Sequence, residues 1–110
     1  MFFDYGYGDK DAYIYNLETT NNKITCGLGI LDGIFCPHYQ NNGLISFNDS
    51  IKDFRKNGFA LENGAALKIN KDGFYIIKCK HSNAFMFDCN KNHCLIYLKS
   101  DQFYEINIFK

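Results

Sequence analysis

The segment from Gly27 to Tyr39 decides the fold predicted for this chain. It reads G-L-G-I-L-D-G-I-F-C-P-H-Y, an apolar run that ends in a cysteine, a proline and a histidine. Pro37 has no backbone N–H and cannot continue a sheet ladder, so the pattern predicts a buried strand that ends just before it. His38 then stands where a strand opens into a loop. This is a favourable place for acid–base chemistry, because the strand fixes the ring and the loop admits a ligand.

The residues before this segment are mostly turn formers. Residues 1–23 are rich in Tyr, Asp, Asn and Gly, which predicts a loop with one short strand at Ala12–Tyr15. The apolar run itself predicts strand over Lys23–Leu31 and Gly33–Cys36, broken by a turn at Asp32–Gly33.

Downstream of the segment the hydrophobic period changes once. Phe47, Ile51 and Phe54 recur at helical spacing, which predicts a helix that Ser46 or Asn48 caps and that Asn57–Gly58 ends. From Phe59 the period is two, with hairpin signals at Asn63–Gly64 and Asp72–Gly73. This alternation predicts short strands at Phe59–Glu62, Ala65–Ile69, Phe74–Cys79, Ala84–Asp88, Cys94–Leu98 and Phe103–Ile108. The order predicts an α/β fold with an antiparallel appendage.

Length and composition limit the class of protein. The chain has 110 residues, which predicts a single domain over 1–110, and 46% of them are hydrophobic. It has no apolar run long enough for a membrane span and no basic start followed by an apolar stretch. Lys+Arg and Asp+Glu are both 12, so nucleic acid is not an expected partner. Five cysteines without a secretory signal indicate reduced thiols and a cytoplasmic location.

Three stretches together resemble the C-terminal half of the peptidase S51 family, which includes dipeptidase E and cyanophycinase. They are the Gly27–Tyr39 string, G-F-A-L-E-N-G-A-A-L at Gly58–Leu67, and the opening F-D-Y-G-Y-G-D-K-D, and the resemblance covers residues 1–87. It implies a partial doubly wound sheet, similar to class I glutamine amidotransferases, with C-terminal antiparallel hairpins.

The resemblance also implies a serine-type peptidase that acts on small peptides. In such a site a histidine takes the proton of a serine, and a carboxylate orients the imidazole. His38 matches the family's base. Asp9 matches the acidic residue best, with Asp11 and Asp4 close enough to replace it, and Glu62 is expected on the substrate side. The resemblance implies no cofactor.

The chain departs from the family pattern at two points. It has no G-x-S-x-G motif, and all its serines follow His38 in other contexts: Ser46, Ser50, Ser82 and Ser100. Its only arginine, Arg55, falls on the predicted helix and not in the loop after the histidine. We therefore expect a truncated or inactive homologue without acidic-substrate preference, or one subunit of a split hydrolase that a complementing N-terminal half completes.

Plainer interpretations exist for each of these residues. His38 can be a hydrogen-bonded structural histidine, Asp9 a turn cap and Glu62 a solvated hairpin residue. A zinc site is not expected, because Cys89 and Cys94 form one ligand pair and no second pair follows.

A different class of protein is the alternative. Ile24–Cys36 carries a single charged residue, Asp32, so it lacks the charges that protect exposed strand edges. The chain would then be a non-enzymatic interaction module that associates with itself.

Overall fold

A computed structural model describes residues 3–8, 23–39, 47 and 49–106. These contain nine strands, and Phe47 and residues 49–51 are helical. A 3₁₀ turn occupies Cys89–Lys91. The strands are β1 (Phe3–Gly8), β2 (Lys23–Cys26), β3 (Leu31–Cys36), β4 (Gly58–Leu61), β5 (Ala65–Asn70), β6 (Gly73–Lys78), β7 (Ala84–Asp88), β8 (Cys94–Tyr97) and β9 (Phe103–Glu105).

The strands form two sheets. The large sheet has the order β2-β1-β3-β4-β7-β8, in which β1, β3 and β4 run parallel and the outer strands pair antiparallel. The small sheet has the order β5-β6-β9 and is antiparallel throughout. The segment quoted first thus supplies β3, which lies between two parallel neighbours inside the large sheet.

The large sheet buries both of its faces. Successive side chains on a strand point to opposite faces, so Phe59 and Leu61 of β4 face one way and Ala60 faces the other. On the first face they join Phe74 and Ile76 of the small sheet. On the second face, a cluster rich in aromatic rings collects around the helical residues: Tyr7, Ile34, Cys36, Tyr39, Phe47, Ile51, Ala60, Phe85 and Phe87.

The prediction of a partial doubly wound α/β fold is wrong. A doubly wound sheet is covered by helices on both faces, whereas here the small sheet covers one face of the large sheet. Strands dominate the described chain, and both sheets contain antiparallel pairs. The sequence did not predict this second sheet, because β5 and β6 show the same alternating polarity whether they extend the large sheet or pack over it.

Local predictions have mixed outcomes. The strands predicted from Phe59 onward occur within a residue or two of their expected bounds, except that β9 ends at Glu105. Residues 3–8 were expected to be a loop and instead form β1. The turn at Asn63–Gly64 forms, but β4 and β5 belong to different sheets, so it is a corner between layers and not a hairpin. The short strand predicted at Ala12–Tyr15 lies outside the described residues.

No helix in the described ranges is long and apolar enough to cross a membrane.

Candidate functional site

His38 lies just beyond the carboxyl end of β3. Its side chain is exposed, and its backbone adopts the left-handed conformation with a φ of 53°. The next residue continues the pairing with the neighbouring strand, because the Tyr39 N–H donates to the Leu61 carbonyl at 2.8 Å. The parallel arrangement therefore brings His38 beside the turn that follows β4, which is residues 62–64.

The side chain of Asn63 holds the His38 ring. The Asn63 amide oxygen faces the Nδ1 of His38 within hydrogen-bond distance. An amide oxygen only accepts hydrogen bonds, so this contact places a proton on Nδ1. Sequence reasoning missed Asn63 because Asn-Gly is foremost a turn signal. The available signal was that Asn63, in the A-L-E-N-G stretch, follows the next predicted strand after the one that ends before His38.

Glu62 fixes the adjacent strand ends. Its backbone N–H donates to the Asn83 carbonyl at 3.0 Å, and its carboxylate accepts from the Asn83 N–H at 2.8 Å. These bonds tie the end of β4 to the start of β7. The described contacts of Glu62 are therefore structural ones at the border of the His38 site.

Tyr39, the residue after His38, lies in the aromatic core. It is almost fully buried against Phe47, Phe85 and Phe87, and its hydroxyl has no hydrogen-bond partner among the described residues. Burial raises the pKa of Tyr39 well above its usual range, and the nearby Cys36 and Glu62 raise it further. Tyr39 is therefore a neutral phenol at physiological pH.

The acidic candidates do not all lie in the described part of the chain. Asp9 and Asp11 fall outside it. Asp4 is buried in β1, where it pairs with Lys56 at 3.0 Å and accepts from the Gly33 N–H at 3.3 Å. Gly33 lies near the start of β3 and His38 beyond its end, so Asp4 belongs to the opposite end of the strand.

Lys56 joins two carboxylates at that opposite end. Its ammonium lies 2.6 Å from Asp32 in addition to its contact with Asp4. The hydrogen bonds that this ammonium donates to Asp32, and then to Asp4, raise the pKa of Lys56 above the usual range. The group ties β1, β3 and the segment before β4 together and keeps Asp4 away from the His38 site.

Cys36 is not placed to act as a nucleophile. Its side chain is buried in the aromatic cluster, and its thiol lies 3.8 Å from the Pro37 carbonyl. Burial raises the pKa of the thiol to about 12. The reactive form of cysteine is the thiolate, so Cys36 is inert at neutral pH.

Ser82 and Cys79 border the same turn. The Ser82 hydroxyl donates to the Asn63 carbonyl at 2.5 Å, and the Ser82 N–H donates to the Cys79 carbonyl at 3.1 Å. The serine proton is thereby directed at the backbone and not at His38. No group of three or more metal-ligating side chains occurs in the part of the chain that the structure describes.

Comparisons with protein-family models, curated proteins and solved structures match this chain to none of them.

Proposed function

We propose that this chain is a homologue of the serine-type S51 peptidases, similar to dipeptidase E, that supplies the acid–base residue of the site without the nucleophile. His38 is the base, Asp9 the candidate acid, and Glu62 the residue on the substrate side. The proposal rests on the quoted resemblance and on the placement of His38. It extends to the family's small peptide substrates only if a serine is supplied from elsewhere.

The observation that carries the proposal is the conformation of His38. A non-glycine residue in the left-handed region costs about 1–2 kcal/mol, and such residues concentrate at functional sites. Here the costly backbone turns an exposed imidazole outward at the carboxyl edge of three parallel strands, and Asn63 fixes its ring.

In this arrangement an amide, and not a carboxylate, orients the imidazole. The Asn63 amide fixes the ring as a carboxylate would, yet it carries no negative charge to balance an imidazolium. A nearby acid such as Asp9 would supply that charge. None of the serines occurs in a G-x-S-x-G motif, so the chain by itself has a base without a serine to activate.

Two substrates distinguish the activity of the His38 base alone from that of a complete peptidase site. With p-nitrophenyl acetate, an activated ester, we expect a slow hydrolysis that depends on His38, because an oriented imidazole suffices for a good leaving group. With Asp-X dipeptides we expect no hydrolysis above background, because without a serine nucleophile the covalent route of a serine-type peptidase is closed. His38→Ala should abolish the ester reaction, and His81→Ala, which removes another exposed histidine, should leave it unchanged.

Two results would overturn the proposal. Equal ester hydrolysis by the protein and its His38→Ala variant would mean that His38 is not a reactive base. Robust dipeptide hydrolysis that depends on His38 would mean that the chain has its own nucleophile, and Ser82→Ala and Cys79→Ala would identify it.

A non-enzymatic interaction module, or a subunit of a split hydrolase, is the second candidate. It is favoured by Leu28 and Ile30, which are 66% and 47% exposed between β2 and β3. Apolar side chains exposed beside an edge strand are typical of association surfaces. Self-association, or binding of a complementing half, would cover them.

A further inference from the structure

The free edge of β5 borders an apolar groove. β5 is the outermost strand of the small sheet and pairs only with β6 among the described strands. Beside it, residues of both sheets line a depression. This depression, which we call the edge groove, has a volume of about 430 Å³; its floor includes Phe3, Leu31 and Phe35 and its wall includes Leu67 and Ile69. This volume is in the range of ligand-binding clefts.

The hydrogen-bond pattern of the hairpin shows which backbone groups face the groove. The Cys79 N–H donates to the Gly64 carbonyl at 2.9 Å, so these two residues form a hydrogen-bonded pair. Such pairs alternate along an antiparallel ladder, and Ala65, Leu67 and Ile69 consequently direct their N–H and C=O groups away from β6.

Most of these edge groups have no partner in the part of the chain that the structure describes. The Ala65 N–H donates to the Glu62 carbonyl at 3.1 Å. Leu67 and Ile69 have no partner on this side within residues 3–8, 23–39, 47 and 49–106. Their side chains point inward, toward the floor of the groove. The edge groove therefore presents two donors and two acceptors at the spacing of a strand, directly above apolar side chains.

These features determine the chemistry of the occupant. A small apolar molecule or an acyl chain would cover the floor but leave the backbone groups unsatisfied. An extended peptide satisfies both, because its backbone pairs with the strand edge and its alternate side chains cover the floor.

We propose that the edge groove binds an extended peptide segment of another polypeptide, with apolar side chains at alternate positions, by adding a strand to β5. The groove reaches Pro37, the residue before His38, but strand addition does not require a reactive His38. Specificity lies in the alternation of side chains, and the backbone bonds to Leu67 and Ile69 supply directionality.

A labelled peptide tests the proposal on the intact chain. The probe is fluorescein-labelled Thr-Val-Thr-Ile-Thr-Val-Thr, followed by fluorescence anisotropy, and we expect saturable binding. Two N-methylated versions serve as matched probes, one methylated on the Val and Ile residues and one on the inner Thr residues. Each loses the N–H groups of one edge only, so one version should bind like the parent and the other should not bind.

Variants of β5 provide the second readout. Leu67→Pro removes the outward N–H of an edge residue, a change that edge strands tolerate, and should weaken peptide binding about tenfold. Lys68→Ala changes a side chain on the outer face and should leave binding unchanged. A thermal melt checks the fold of each variant, and the methylated peptides test the edge without altering the protein.

The contrary outcomes are specific. Absence of saturable binding, or equal loss with both methylated peptides, would overturn strand addition. Binding of the apolar dye 1-anilinonaphthalene-8-sulfonate that the peptide does not displace would leave a small-molecule cavity only. A dimer of the protein alone that Leu67→Pro dissociates would place a second copy in the groove, which also contradicts the assignment to another polypeptide.

Discussion

At the scale of single residues, the position of Cys36 and His38 relative to the end of β3 decides which of the two side chains is accessible. Cys36 and His38 are two residues apart, yet the thiol is buried in the aromatic cluster and the imidazole is exposed. Pro37 and the left-handed backbone of His38 turn the chain between them. Residue type alone would have suggested a Cys–His pair.

Burial of Cys36 predicts a loss of stability at alkaline pH. The folded state raises the thiol pKa from 9.0 to about 12. The neutral thiol therefore favours the folded state fully below pH 9, and this contribution is lost as the pH rises toward 12. At pH 10 the loss is about 1 kcal/mol. Urea unfolding at pH 8 and pH 10 measures it.

Two alanine variants isolate the contribution of this thiol. Cys36→Ala should show a smaller drop between the two pH values than the unmodified chain. Cys79→Ala, which removes an exposed thiol, should show the same drop as the unmodified chain. An identical pH dependence in all three proteins would contradict the burial of the Cys36 thiol.

The contact between His38 and Asn63 illustrates the limit of sequence reasoning at this scale. His38 was a candidate from its place after an apolar run and a proline, and these are local signals. Its partner depends on the parallel pairing of β3 and β4, which sets Tyr39 against Leu61. Local sequence does not encode that register, so Asn63 was predictable only as a turn residue.

At the scale of elements, the small sheet depends on a close approach between β6 and β9. A Cβ added to Gly73 would lie 1.9 Å from the Tyr104 carbonyl oxygen. The next residue, Phe74, stacks its ring on Tyr104 with the centroids 5.2 Å apart. Glycine at this position lets β9 dock, and the docked strand helps to cover the core between the sheets.

We expect Gly73→Ala to displace β9. The clash is with backbone, which cannot rotate away, so the cost should be about 2 kcal/mol or more. Urea unfolding measures the loss, and amide hydrogen exchange at Phe74 and Tyr104 localises it. Lys71→Ala, in the exposed turn of the same hairpin, should change neither measurement. Unchanged exchange at Phe74 in the Gly73 variant would contradict the close approach.

Strands with alternating polarity were predictable, and β1 was not. From Phe59 onward, the period of two locates β5 and β6 because each has one face on a core, and turn signals bound β4 and β7, which are buried on both faces. β1 reads F-D-Y-G-Y-G, in which glycine and aspartate disfavour strand. It becomes a strand because β2 and β3 pair with both of its edges. Tertiary pairing overrides local preference there, and the sheet order follows from pairing as well.

At the scale of the whole molecule, apolar side chains remain exposed at both ends of the large sheet. Leu28 and Ile30 lie beside β2, and Tyr97, 66% exposed, lies on β8. The first pair adjoins a segment with a single charge, Asp32, which the Lys56 ammonium contacts at 2.6 Å. Between Ile24 and Cys36 the chain thus carries only this one of the charged residues that commonly prevent strand edges from associating.

We expect the chain to self-associate through this surface. Size-exclusion chromatography with light scattering over a dilution series should show a concentration-dependent mass. The double variant Leu28→Ser and Ile30→Ser should be monomeric, whereas Tyr97→Ser at the opposite edge should behave like the parent chain. A monomer at every concentration, with a cooperative melt, would contradict this and indicate a self-sufficient fold.

The parallel run of β1, β3 and β4 also has a kinetic consequence. Parallel neighbours cannot be joined by a tight turn, so each of these pairings brings together residues that are distant in the chain. The entropy of closing these loops is lost before the contacts form, which slows folding. The hairpin of β5 and β6 closes locally and should form early, while the edge that carries His38 is assembled last. Refolding should therefore take milliseconds to seconds, and the imidazole should reach its final position only in the slowest phase.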